Sequence, residues 1–126
     1  MSKSPGHQRH PEHKVQEFPS SQRMVAEWNG QPIAESADVI RLEETGYPPR
    51  YYFPRSDVRM ENLQRSPTTS RCPFKGEAHY FSLVSDGGRL DDAVWTYEEP
   101  YEEHPDIKNR LAFWEEKSDA LHVHPA

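Results

Sequence analysis

From residue 23 the chain alternates with the period of a half-buried strand, Met24, Ala26 and Trp28 on one side and Val25, Glu27 and Asn29 on the other. Asn29-Gly30 ends that run with a dipeptide that favours a type I′ hairpin, so 31–35 is predicted as the return strand and 38–43 as a further strand. The turn-rich Thr45-Gly46-Tyr47-Pro48-Pro49 comes next. Its two prolines impose an extended path into Tyr51-Tyr52-Phe53, and Pro54 suits the first position of one helical turn over 54–57. Residues 58–64 are expected as strand, and Arg65-Ser66-Pro67-Thr68-Thr69-Ser70 as a polar loop that delivers Cys72. Strands over 78–84 and 89–97 flank Asp86-Gly87-Gly88, where glycines permit the positive φ of a tight hairpin. Pro105-Asp106 opens a short helix to about residue 110 with Ile107 on its buried side. Leu111-Ala112-Phe113-Trp114 reads as strand, and Leu121 and Val123 close the sheet. The class is therefore mainly β, twisted antiparallel sheets with one or two short helices.

Ahead of this pattern, Pro5, Gly6, Pro11 and Pro19 punctuate a polar stretch with little to bury. Residues 1–20 are predicted as a disordered N-terminal arm and 21–124 as a single β domain. His7, His10 and His13 recur in the arm at three-residue spacing, and His122 and His124 lie near the other end. Without a fold to fix them they offer only adventitious metal contacts, and no metal ligand is assigned.

Composition narrows the picture. The 126 residues fit one domain, and a hydrophobic fraction of 33% with a mean hydropathy of −1.03 predicts a small core. Three Trp, six Tyr and five Phe supply most of the area it can bury. No apolar run approaches the roughly 18 residues of a membrane span, and the start lacks the apolar stretch of a secretion signal, so the expectation is a soluble cytoplasmic protein without a membrane partner. The single cysteine excludes an intramolecular disulfide and a multi-cysteine zinc site. A net charge of −6 argues against nucleic acid as a partner. That charge is uneven: residues 50–76 hold six cations against Asp57 and Glu61, a balance of +4 that leaves −10 for the remainder. The imbalance fits either solvated faces or a positive pocket wall for a small anion.

The candidate chemistry sits in three clusters, Tyr51-Tyr52-Phe53-Pro54-Arg55, Cys72-Pro73-Phe74-Lys75-Gly76 and Ala93-Val94-Trp95-Thr96-Tyr97. Arg71 and Lys75 beside Cys72 favour its thiolate, while a lone cysteine serves equally as a small core residue. His79 is the natural base for that thiol if the strand brings it close. Lys75 before Gly76 suits an anion, because glycine lets backbone N–H groups approach a carboxylate or phosphate, although no P-loop spacing is present. Arg55 either stacks on a ring and grips an anion or bridges internally to Asp57 or Glu61. Tyr52, Trp95 and Tyr97 line a pocket or pack as core, with Trp95 and Tyr97 on one strand face. Glu98 and Glu99 lie among too many charges to read as buried acids.

These clusters, together with Trp28-Asn29-Gly30, Glu44-Thr45-Gly46-Tyr47-Pro48-Pro49 and Asp57-Val58, occur in an order and spacing that resemble domain-of-unknown-function family 427. The likeness runs from about residue 23 to 123. It implies a compact β domain similar to the β-tent architecture of B-type methionine sulfoxide reductases. Zinc on two cysteine pairs, frequent in that architecture, does not transfer to a chain with Cys72 alone, and the resemblance carries no reductase activity. Members are sometimes labelled nucleotidyltransferases, but the Gly-Ser and paired aspartates that hold magnesium are absent from this sequence. No cofactor is expected.

Three readings remain. In the first, a β domain binds a small, anionic and partly aromatic or apolar molecule, with Arg55 and Lys75 holding charge and Tyr52, Cys72, Trp95 and Tyr97 forming the wall. In the second, Cys72 is the catalytic nucleophile or redox centre of a small-molecule enzyme. In the third, the domain is a protein-interaction module without a ligand. Ligand identity and oligomeric state are not specified by these residues.

Overall fold

Asn29 and Gly30 take φ of 54° and 77°, the left-handed pair that a type I′ turn requires. The computed structural model describes residues 3–126. Ten strands follow in chain order: β1 (Val15–Ser20), β2 (Met24–Trp28), β3 (Gln31–Ser36), β4 (Val39–Glu44), β5 (Arg50–Tyr52), β6 (Leu63–Cys72), β7 (Gly76–Ser85), β8 (Gly88–Tyr97), β9 (Leu111–Phe113) and β10 (Leu121–Pro125). A five-residue helix, α1 (Pro5–Arg9), precedes them, and single 3₁₀ turns occupy Arg55–Asp57, Met60–Asn62, Pro105–Ile107 and Glu115–Lys117. The strands form three antiparallel sheets, ordered β1-β4-β5, β10-β2-β3 and β6-β7-β8-β9. The mainly β expectation therefore holds. No helix among the described residues is long and apolar enough to cross a membrane.

Strand parity decides which core each side chain joins. One cluster gathers Trp28, Phe53, Phe81, Leu83, Val94 and Phe113. The other gathers Ile40, Leu42, Tyr52, Ala78, Tyr97 and Ile107, with Trp95, Tyr80, Phe74 and Cys72 partly buried against it. On β8, Trp95 and Tyr97 face the second cluster and Val94 the first. On β5 and its extension, Tyr52 faces the second cluster and Phe53 the first. Reciprocal hydrogen bonds between Phe53 and Leu111, 2.8 and 2.9 Å, couple the end of β5 to β9. The Phe53 and Phe113 rings meet edge to face at 5.6 Å, so aromatic burial does carry much of this small core.

Three local expectations are corrected. The polar segment 1–20 is not simply a disordered arm: β1 pairs with β4 along its whole length, Val15 to Glu44 through Ser20 to Val39, and Val15 is buried. Backbone pairing, which composition does not report, orders a segment with little to bury. Met1 and Ser2 lie outside the described residues. The polar loop expected over 65–70 is instead the middle of β6, and of the strand expected over 58–64 only Leu63 and Gln64 belong to β6, after a 3₁₀ turn at Met60–Asn62. Its pairing with β7 breaks between Arg65 and Thr69, and that bulge accommodates Pro67, which has no N–H for the ladder. Neither Gly87 nor Gly88 takes a positive φ; the irregular residue of that hairpin is Asp92, at 52°, beside a register shift opposite Phe81 and Leu83.

Leu83 is fully buried at the centre of the larger cluster. Leu83→Ala is expected to destabilise the domain by about 2–5 kcal/mol, measured by urea unfolding; a loss within about 0.5 kcal/mol, the range of surface substitutions, would contradict this packing.

Candidate functional site

The second cluster does not close on itself. Between the ends of β4 and β5 and the facing strands β7 and β8 it opens into a cleft of about 460 Å³. Alternation along each strand selects its lining. Glu44 continues the face of Ile40 and Leu42, Arg50 shares the face of Tyr52, Tyr80 that of Ala78, and Trp95 that of Tyr97. Cys72, at the end of β6, and Lys75, in the turn before β7, complete one wall. Tyr47 is 64% exposed and Trp114 37%, the two exposed large apolar side chains among the described residues, and both line this cleft.

Two ion pairs cross the site. Lys75 Nζ donates to Glu44 Oε1 at 2.6 Å with both side chains almost wholly buried. His13 Nε2 meets the other Glu44 oxygen at 2.9 Å, its ring stacked on Phe74. Burial opposes the Lys75 charge, but attraction to the Glu44 carboxylate and their hydrogen bond help to outweigh that cost, and its pKa is raised. Burial likewise opposes ionisation of Glu44, and attraction to Lys75 together with their hydrogen bond lowers its pKa regardless. The other pair lies at the rim. Arg50 Nη1 donates to Glu116 Oε1 at 2.9 Å, and the Arg50 guanidinium lies 5.4 Å from the Trp95 ring centroid. Arg50 is 18% exposed, whereas Glu116 is 55% exposed.

The indole of Trp95 donates from Nε1 to Tyr52 Oη at 3.0 Å and meets Trp114 edge to face at 6.5 Å. Tyr52 is fully buried behind that indole, so it supports the wall rather than forming its surface. Burial pushes the phenols of Tyr52 and Tyr97 up, so both are neutral at physiological pH.

Of the residues proposed from sequence, Tyr52, Cys72, Lys75, Trp95 and Tyr97 meet here. Arg55 does not. It follows Phe53 onto the other core, with its guanidinium 5.6 Å from the Phe81 ring centroid. There Nε donates to Asn109 O at 2.7 Å and Nη2 to Thr96 Oγ1 at 3.3 Å and Glu98 Oε2 at 3.4 Å, so its internal bridge is to Glu98 rather than to Asp57 or Glu61. Asp57 instead accepts from Ser36 Oγ at 2.6 Å. His79 also lies away from Cys72, on the β7 face of Phe81, with Nε2 at 3.3 Å from Glu77 and 3.9 Å from Glu98. Arg50, Glu44, Trp114 and Glu116 also line the cleft and are not among the residues expected from sequence. Parity was the signal for the first two: Arg50 is two residues from Tyr52, and Glu44 two from Leu42.

A separate polar cleft of about 620 Å³ includes His79, Glu98, Arg71, Tyr101 and Lys108 in its lining. Arg65 grips Glu98 with two bonds, 2.9 and 3.0 Å. That grip outweighs the cost of burial and holds the Glu98 carboxyl at about 2. Among the described residues no group of three His, Cys, Asp or Glu side chains is placed to hold a metal ion.

A mainly β domain with an aromatic cleft at the open end of its smaller core is the class that fold and site define. The chain belongs to the family described as domain of unknown function DUF427, whose model matches residues 17–124. No curated protein matches it.

Lys75→Met leaves the buried Glu44 side chain without its cation and is expected to cost about 3–5 kcal/mol in urea unfolding. Adding Glu44→Gln should recover part of that loss, and strictly additive losses would contradict a coupled pair. Glu98 titrates below its ordinary 4.5 in the folded protein. The stability it contributes is therefore complete above that value and lost as pH falls from 4.5 toward 2. Glu98→Gln should flatten the stability profile over that interval, and an unchanged slope would contradict the Arg65 grip.

Proposed function

We propose that this domain binds a small molecule with an aromatic or apolar body and an anionic head in the cleft between β4–β5 and β7–β8. One observation carries the reading: Arg50, stacked on Trp95 at the mouth of an aromatic cleft, is paired with a carboxylate more exposed than itself. Glu116 stands where a ligand carboxylate would bind, and at 55% exposed its side chain already reaches water. The guanidinium, held on the indole, stays behind as a fixed two-pronged donor. Lys75 adds positive potential, but its charge is already matched by Glu44, so Arg50 takes the place given to Arg55 from sequence. Tyr47, Trp95 and Trp114 then hold the apolar body, and a cleft of about 460 Å³ suits a small molecule. Catalysis at Cys72 has less support, because His79 sits on the opposite face of β7 and no histidine among the described residues lines the cleft.

The test is a melting-temperature and tryptophan-fluorescence screen with aromatic carboxylates and phosphates. For a carboxylate that binds, Arg50→Ala is expected to weaken affinity by about tenfold or more, the size of a lost charge-assisted hydrogen bond. Glu116→Gln should tighten the same ligand by freeing Arg50. Unchanged affinity in Arg50→Ala, or a broad panel without a single binder, would contradict the proposal.

A further inference from the structure

The segment before β1 grips the outside of the turn whose ends, Cys72 and Lys75, line the cleft. Ser4 Oγ donates to Pro73 O at 2.6 Å and Gly6 N to the same oxygen at 2.8 Å. Ser4 N donates to both Glu103 oxygens, at 3.0 and 3.1 Å. The His7 ring meets Phe74 edge on at 5.1 Å, while His13 stacks on the same ring at 4.1 Å. Gly6 is a steric requirement: a Cβ there would lie 2.7 Å from Pro73 O and 2.8 Å from Phe74 Cδ1.

One contact in this grip depends on a proton count. His7 Nε2 and His104 Nε2 stand 2.8 Å apart, and His104 Nδ1 is 2.7 Å from Glu17 Oε1. An ionised carboxylate only accepts, so His104 Nδ1 must carry a proton. The two Nε2 atoms then require one proton between them, with a lone pair on the other side. Were both rings fully protonated, two Nε2–H groups would collide at that distance and two like charges would meet beside a ring that is only 2% exposed.

We infer that residues 4–13 form a proton-sensitive latch on the 73–75 segment, docked while the His7–His104 pair holds one proton between its Nε2 atoms and released when a second is forced onto it. The groups facing the pair fix the sign. Glu17 of β1 and Glu103 favour one positive charge, whereas His104 and His13 oppose a charge on His7. Burial first, and then His104, lowers the His7 pKa below its ordinary 6.5. The released arm takes up its proton at the ordinary value and the docked arm only below it. Docking is therefore fully favoured above 6.5 and weakens as pH falls beneath it.

The experiment is {¹H}–¹⁵N heteronuclear NOE on the full chain at about pH 8 and about pH 5, on either side of histidine titration, with ring-¹⁵N titration of His7 and His104. Residues 4–9 should match the β7–β8 values at the higher pH and lose most of that NOE at the lower, while β7–β8 stays constant. Gly6→Ala should leave the arm mobile at both pH values and so supplies the released reference. His7→Gln replaces one titrating ring with an amide that can donate to His104 or accept from it, and its arm should hold at both. An arm in the native chain equally rigid at both pH values would overturn the latch. So would independent titration of the two rings, whatever the variants do.

Discussion

The structure turns on a lysine and a glutamate that leave water together. Lys75 comes from a turn that ends a polar edge strand, and Glu44 from the end of a strand in another sheet. Each charge alone would carry a large desolvation penalty, and only a short, well-aligned contact with further hydrogen bonds offsets it. The 2.6 Å pair, with His13 on the second oxygen, meets that condition. Gly76 helps to aim the turn: its φ of 119° is closed to ordinary side chains, and a Cβ there would lie 3.3 Å from Glu99 O. The turn is thereby pinned between β4 on one side and the Glu99–Tyr101 backbone on the other, where Tyr101 N donates to Lys75 O at 3.0 Å.

Once that turn is pinned, its two sides acquire different roles. The inner side presents Cys72 and Lys75 to a cleft walled by Trp95 and Tyr97 and rimmed by Arg50 and Glu116. The outer side presents Pro73 and Phe74 to the N-terminal segment. Glu44 touches both arrangements, since one oxygen serves Lys75 and the other serves His13. A change in the arm and a change in the cleft thus share one carboxylate.

Much of this was legible in the chain, and the failures are of one kind. Hairpins announced themselves through Asn29-Gly30 and Asp86-Gly87-Gly88, and the face shared by Trp95 and Tyr97 followed from period two. Arg55 lies away from the cleft because strand parity, and not nearness in sequence, decides its face. It follows Phe53, whose face leads to Phe81, whereas Arg50 shares the face of Tyr52. The order of β1 and of β6 was invisible to composition for another reason. Both strands are held mainly by backbone pairing to β4 and β7, and such bonds leave no apolar signature. The pairing of His7 with His104, 97 residues apart, had no local signal at all.

The central claim, that a buried ammonium at Lys75 organises the turn, the cleft and the arm, is tested most directly by ¹H–¹⁵N detection of lysine side chains across pH. The Lys75 ammonium should exchange slowly with water, stay charged past the ordinary lysine value of 10.5, and lose this protection in Glu44→Gln. A Lys75 signal that exchanges and titrates like those of the exposed lysines would contradict it.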